Sequence, residues 1–214
     1  MKIIKRILLL QRGRYLFRDK INASFRNILS DYIVDKYEDT KIFSDRDFFE
    51  YDTTIFFTQF DEITDVQEKN VLDFVASGKG FVGIHGASAS FKAHPKYYEM
   101  LGGRFIGHKK VKDYHVKIVD KSHPITQGLE DFIIKEEQYQ HDLSMGENIH
   151  ILAEADYHDE VDPKSNPIMW TKTYGKGRIF FCALGHKSKS LEEEILQIVI
   201  KRAVKWVLEE HQES

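Results

Sequence analysis

Gly80-Phe81-Val82-Gly83-Ile84-His85-Gly86-Ala87-Ser88 is the stretch that decides the fold. A short apolar run bounded by glycines reads as a buried strand, and the small residues after it turn the chain sharply. Upstream, residues 65–77 open on a capping candidate, Asp65, carry Val66, Val71, Leu72, Phe74 and Val75 toward a core, and stop at Gly78. Thr53-Thr54-Ile55-Phe56-Phe57-Thr58, rich in β-branched and aromatic residues, supplies the strand before that helix, which completes a βαβ unit. In open α/β sheets, ligands bind just beyond the carboxyl ends of the strands. A nucleophile elbow uses the same place to expose one reactive side chain. Here the residue at the tip is His85, where a serine or cysteine would be expected.

The rest of the first half fits the same architecture. Arg6 to Gln11 is almost continuous Ile and Leu and reads as a buried first strand, followed by a loop carrying Arg12, Arg14 and Arg18. Residues 19–29 have helical spacing through Ile21, Phe25, Ile28 and Leu29, and residues 33–37 form a second strand. The second half changes character. Strands are expected over 114–119, 149–155 and 167–171, and Tyr174-Gly175-Lys176-Gly177-Arg178 turns tightly into the strand 179–184. Glu136 to His141 reads as a polar, weakly structured stretch. Residues 191–209 read as one long amphipathic helix. The expectation is a single α/β domain over 1–214. It has a mostly parallel sheet, helices on both faces and an antiparallel addition near the C-terminus.

Composition narrows the class. Of 214 residues, 42% are hydrophobic and 13% aromatic, ample for a core. The net charge of −3 creates no field for nucleic acid or an anionic membrane, so neither is expected as a partner. The apolar run near the N-terminus is too short for a signal peptide and lacks a small-residue cleavage site. The one cysteine, Cys182, lies inside an apolar strand, reads as a buried thiol and fits a reducing compartment. A cytoplasmic protein is therefore expected.

Several motifs in order resemble one family. They are Gly83-Ile84-His85-Gly86-Ala87, Leu101-Gly102-Gly103-Arg104-Phe105 with His108, and His123-Pro124-Ile125-Thr126-Gln127-Gly128-Leu129. Glu136-Glu137-Gln138-Tyr139, Pro167-Ile168-Met169-Trp170, Tyr174 to Arg178 and Leu184-Gly185-His186 follow. This set is similar to the ThuA-like (trehalose utilisation) family. The resemblance implies a flavodoxin-like three-layer sandwich of the class I glutamine amidotransferase-like superfamily. In that superfamily the elbow carries a cysteine and a histidine follows a late strand. Here His85 replaces the cysteine and His186 falls at the late position, which disfavours amidotransferase chemistry. The first loop departs from the pattern by carrying arginines where relatives carry histidine. If Arg14 touches substrate, the ligand is more anionic than a plain sugar.

These residues define the expected site. His85, His186 and Glu137 are the candidate catalytic groups. His85, His108, Glu137 and His186 match the ligand types of a divalent metal, zinc first among them. No His-x-x-x-His pair occurs, so such a site must be assembled from distant segments. Tyr139, Arg14 and Trp170 are candidate sugar-binding residues. The expected substrate is a carbohydrate, trehalose or a related sugar or keto-sugar, acted on by hydrolysis or isomerisation. A non-catalytic sugar-binding or regulatory module on the same fold is the alternative, and exposed aromatics leave room for a homo-oligomer.

Overall fold

The structure, a computed structural model, describes residues 4–12, 18–59, 62–155 and 166–209. Arg14 therefore lies outside the described residues. One nine-stranded sheet runs through them. Its strands are β1 (Arg6–Arg12), β2 (Ile33–Tyr37), β3 (Thr53–Thr58), β4 (Gly80–Ile84), β5 (Arg104–Ile118), β6 (Phe132–Asp142), β7 (His150–Ala155), β8 (Asn166–Tyr174) and β9 (Gly177–Cys182). The helices are α1 (Arg18–Ile28), α2 (Asp65–Ala76), α3 (Pro95–Leu101), α4 (Ser188–Glu192) and α5 (Glu194–Leu208). The spatial order is β2-β1-β3-β4-β9-β8-β7-β5-β6.

The first five strands of that order are mutually parallel, and every pairing from β9 to β6 is antiparallel. The sheet is thus parallel at one end and antiparallel at the other, rather than mostly parallel with a small addition. Parallel strands occur where both faces are covered, and β1, β3 and β4 are buried along almost their whole length. At β4 the two covers are explicit. A Cβ on Gly80 would run into Val207 of α5, while one on Gly83 would press on Leu101 of α3. On the α2 and α3 side, Phe56 lies 4.8 Å from Phe81 and 5.2 Å from Phe43, centroid to centroid. Each such buried ring contributes about 1.5–3 kcal/mol, which anchors the strands that present His85.

Some local expectations change. Thr64, not Asp65, caps α2: its hydroxyl accepts from the Gln67 N–H, and the Gln67 side chain accepts from the Thr64 N–H. The long C-terminal helix is two helices, broken at Glu193, whose backbone is extended (φ −65°, ψ 126°). The larger correction concerns the polar segment around Glu136, which lies inside β6, a strand of eleven residues. Its partner β5 is fifteen residues long. Val116 to Ile118 of β5 pair with β7, whereas Arg104 to Val116 pair with β6 across two register irregularities. These bulges bend the ladder, and β6 comes back over the strand ends, where Asn166 of β8 donates to the Tyr139 carbonyl.

Candidate metal and catalytic centre

Ile84 of β4 is in register with Cys182 of β9, so the residues that follow each strand emerge side by side. His85 follows β4 with φ 48°, a left-handed conformation that costs a non-glycine residue on the order of 1 kcal/mol or more. Three contacts hold the turn. The Ser88 hydroxyl donates to the His85 carbonyl at 3.2 Å, and the Ser90 hydroxyl donates to the Gly86 carbonyl at 3.0 Å. Gly86 itself runs so close to β3 that a Cβ there would sit 2.2 Å from the Thr58 carbonyl oxygen. The expected elbow exists, with its strain carried by the histidine.

His85 is 3% exposed. Its Nδ1 lies 2.8 Å from the Ala183 carbonyl oxygen. A carbonyl only accepts, so Nδ1 carries the proton and Nε2 presents a lone pair. Burial lowers the ring's pKa to about 3, so it stays neutral near pH 7. Around Nε2 lie His186 Nδ1 at 3.2 Å and Glu137 Oε2 at 3.6 Å, and these two are 3.1 Å apart. Among the described residues, His85, Glu137 and His186 each offer a ligand atom within 4.8 Å of the other two. His186 is also lowered, chiefly by burial, with Glu137 opposing. Two acceptors, His85 Nε2 and Glu137 Oε2, therefore converge on one point. Such convergence calls for a hydrogen-bond donor or a cation there, and either the Nδ1–H of His186 or a metal ion meets it.

His108 reaches the same carboxylate from the other side. Its Nδ1 is 3.2 Å from Glu137 Oε1, and its side chain is half exposed. It sits opposite Tyr139 in the β5–β6 ladder, outside the triangle of ligand atoms. Tyr139 is 1% exposed, with its ring 4.1 Å from that of His85 and 4.4 Å from Phe105. Its phenol is shifted upward, first by burial and then by Glu137. Tyr139 backs the His85 imidazole. Trp170 is fully buried, and its indole N–H donates to the Leu101 carbonyl at 2.8 Å, which gives it a packing place in β8 and no face toward a sugar. Cys182 is buried in β9, where desolvation pushes its thiol up to about 12.

Of two further groups, the sequence offered Glu136 only as a second carboxylate beside Glu137 and did not single out His141. His141 Nε2 lies 3.0 Å from the Ser88 hydroxyl, and its ring packs against Trp170 and Phe181. Burial lowers its pKa to about 3. Glu136 is 1% exposed, and burial raises its pKa to about 7. The alternation of β6 was the available signal, because Glu137, Tyr139 and His141 share one face and Glu136 the other.

Fold and site together define an α/β protein with a polar centre at the carboxyl ends of parallel strands, a histidine elbow at its heart. The chain belongs to the ThuA family, described as trehalose utilisation, whose model matches residues 6–207. Solved structures share the fold. A protein from Bacteroides uniformis described as ThuA-like superposes with a TM-score of 0.78 at 19% identity, over 97% of this chain and 93% of that one. A second ThuA-like protein, from Parabacteroides merdae, gives 0.78 at 20% identity over 100% and 93%. A β-galactosidase from Rahnella gives 0.66 at 16% identity, over 97% of this chain but only 32% of its own length. No curated protein matches the sequence. Among the described residues, no helix is long and apolar enough to cross a membrane.

Proposed function

We propose that this ThuA-family chain is a metal-dependent enzyme of carbohydrate utilisation, working in the cytoplasm at the strand ends of a flavodoxin-like sandwich. The observation that carries this is the triangle of His85 Nε2, His186 Nδ1 and Glu137 Oε2, with sides of 3.1, 3.2 and 3.6 Å. Tetrahedral zinc with ligand bonds of about 2.0–2.1 Å sets its ligand atoms about 3.3 Å apart. Two neutral imidazoles and one carboxylate also match a catalytic zinc centre with an open position. His85 Nε2, His186 Nδ1 and Glu137 would hold the ion. When bound, it supplies Lewis-acid polarisation of a sugar carbonyl or of water.

The chain's own groups do the rest. The Nδ1–H bond to Ala183 fixes the His85 tautomer and aims its lone pair, the outer contact that metal-ligating histidines commonly make. Tyr139 and Phe105 close one side and exclude water from the His85 ring. His108, half exposed and 3.2 Å from Glu137, is placed to pass protons between the centre and solvent. The sugar class rests on the family's description as trehalose utilisation.

Elemental analysis of the purified chain, paired with saturation-transfer NMR against trehalose and keto-sugars, tests the reading. One equivalent of divalent metal, with sugar contacts that vanish in His85→Ala, supports it. No metal, with sugar binding unchanged in that variant, would instead favour a non-catalytic sugar-binding module.

A further inference from the structure

Beside Glu137 stands a second carboxylate that reaches none of the three converging ligand atoms. Strand alternation turns the Glu136 side chain to the opposite face of β6, and its oxygens are already engaged. Glu136 Oε2 accepts two main-chain N–H bonds, from His186 at 3.1 Å and from Glu137 at 3.3 Å. Its Oε1 meets the Ser190 hydroxyl of α4. One buried oxygen thus ties together the amides of two of the three candidate ligand residues, on segments far apart in the chain. Burying a carboxylate is unfavourable unless its hydrogen bonds are satisfied, and these donors satisfy it.

The two histidines differ in what they need. His85 offers Nε2, the far nitrogen, and its ring is fixed through Nδ1 by the Ala183 carbonyl. His186 offers Nδ1, the nitrogen three bonds from its Cα, so the placement of that atom follows its main chain closely. Whatever fixes the His186 backbone therefore narrows where the ligand atom can lie to the reach of two side-chain torsions. We propose that Glu136 is a positioning residue for the metal centre: its Oε2 clamps the main chains of Glu137 and His186, so that Oε2 of one and Nδ1 of the other face a common point. This rests on the metal-site reading of Glu137 and His186.

The test uses the full chain with zinc alone as probe, measured by competition with a chromophoric chelator. Amide hydrogen exchange at His186 and Glu137 is followed in parallel by NMR. Glu136→Gln keeps an acceptor oxygen. Glu136→Met fills a similar volume without one. The clamp predicts that Glu136→Met stays folded and weakens zinc binding by about 10- to 100-fold, the usual cost of losing an outer-shell partner. Both amides lose exchange protection together in that variant, and Glu136→Gln retains most of the affinity and the protection. Unchanged zinc affinity, or both amides as protected as in the wild type, in folded Glu136→Met would overturn it. Should Glu136→Met fail to fold, Ser190→Ala decides, because loosening the Oε1 contact must then speed exchange at both amides. Wild-type protein that binds no zinc would remove the metal reading, and the exchange data would still decide the clamp.

Discussion

His85 Nε2 and His186 Nδ1 lie 3.2 Å apart across a sequence separation of 101 residues. The contact exists because β4 and β9 are parallel neighbours in register, so the residues after each strand meet at the same edge of the sheet. Glu137 closes the triangle only because the β5–β6 ladder bends back over that edge.

The elbow makes a first prediction. Gly86→Ala would place a methyl 2.2 Å from a main-chain oxygen of β3, which cannot swing aside as a side chain would. Overpacking of this kind costs about 1–3 kcal/mol, and the site should sit at the upper end. Urea unfolding of Gly86→Ala measures it, and a loss below about 0.5 kcal/mol, the level of a surface substitution, would show that the turn yields.

Glu136 gives the protein a distinctive pH response. Its carboxyl is raised from 4.5 to about 7 in the folded chain, so the folded state holds a proton that the unfolded state has released. Its contribution therefore falls as pH rises from 4.5 to 7, by at most about 1.4 kcal/mol per pH unit, and is level outside that window. Glu136→Gln cannot titrate there. The stability difference between wild type and Glu136→Gln, followed by denaturant unfolding across that range, should shift in favour of the variant as pH rises. A flat difference would mean that Glu136 keeps an ordinary carboxylate pKa.

Much of the parallel half was legible in the residues. Thr53 to Thr58 and Gly80 to Ile84 form strands with the expected bounds, because short runs rich in β-branched and aromatic residues favour the extended conformation. His85, His186 and Glu137 were legible as candidates from the elbow and the family pattern. The approach of Glu137 to the two histidines was not, since it depends on β6. A strand containing Glu136, Glu137, Gln138 and Gln140 looks like a loop, because the burial of Glu136 is balanced by donors on β9's following loop and α4. Hydrogen bonds between distant segments leave no local trace. Lys109, Lys110 and Lys112 disguised the long β5 in the same way.

Trp170 separates a packing role from a sugar-stacking one. Trp170→Phe deletes the bond to the Leu101 carbonyl and part of a fully buried ring, for an expected loss of about 2 kcal/mol. Calorimetry should show the lowered Tm while zinc and sugar binding stay unchanged. Weakened sugar binding without a stability change would restore the stacking role.

His108→Ala addresses proton transfer. The side chain is half exposed, so stability should change by no more than about 0.5 kcal/mol. Metal content should hold, while turnover of the sugar selected by the NMR screen falls by about 100-fold or more. Loss of the metal along with activity would move His108 into the ligand set.

The central claim is that three side chains from separate segments hold one divalent ion. A crystal of the full chain grown with zinc, with anomalous data collected on both sides of the zinc absorption edge, tests it most directly. One strong peak bonded to His85 Nε2, His186 Nδ1 and Glu137 is expected. An empty triangle, with the His186 Nδ1–H still bonded to its neighbours and zinc absent or elsewhere, would contradict it.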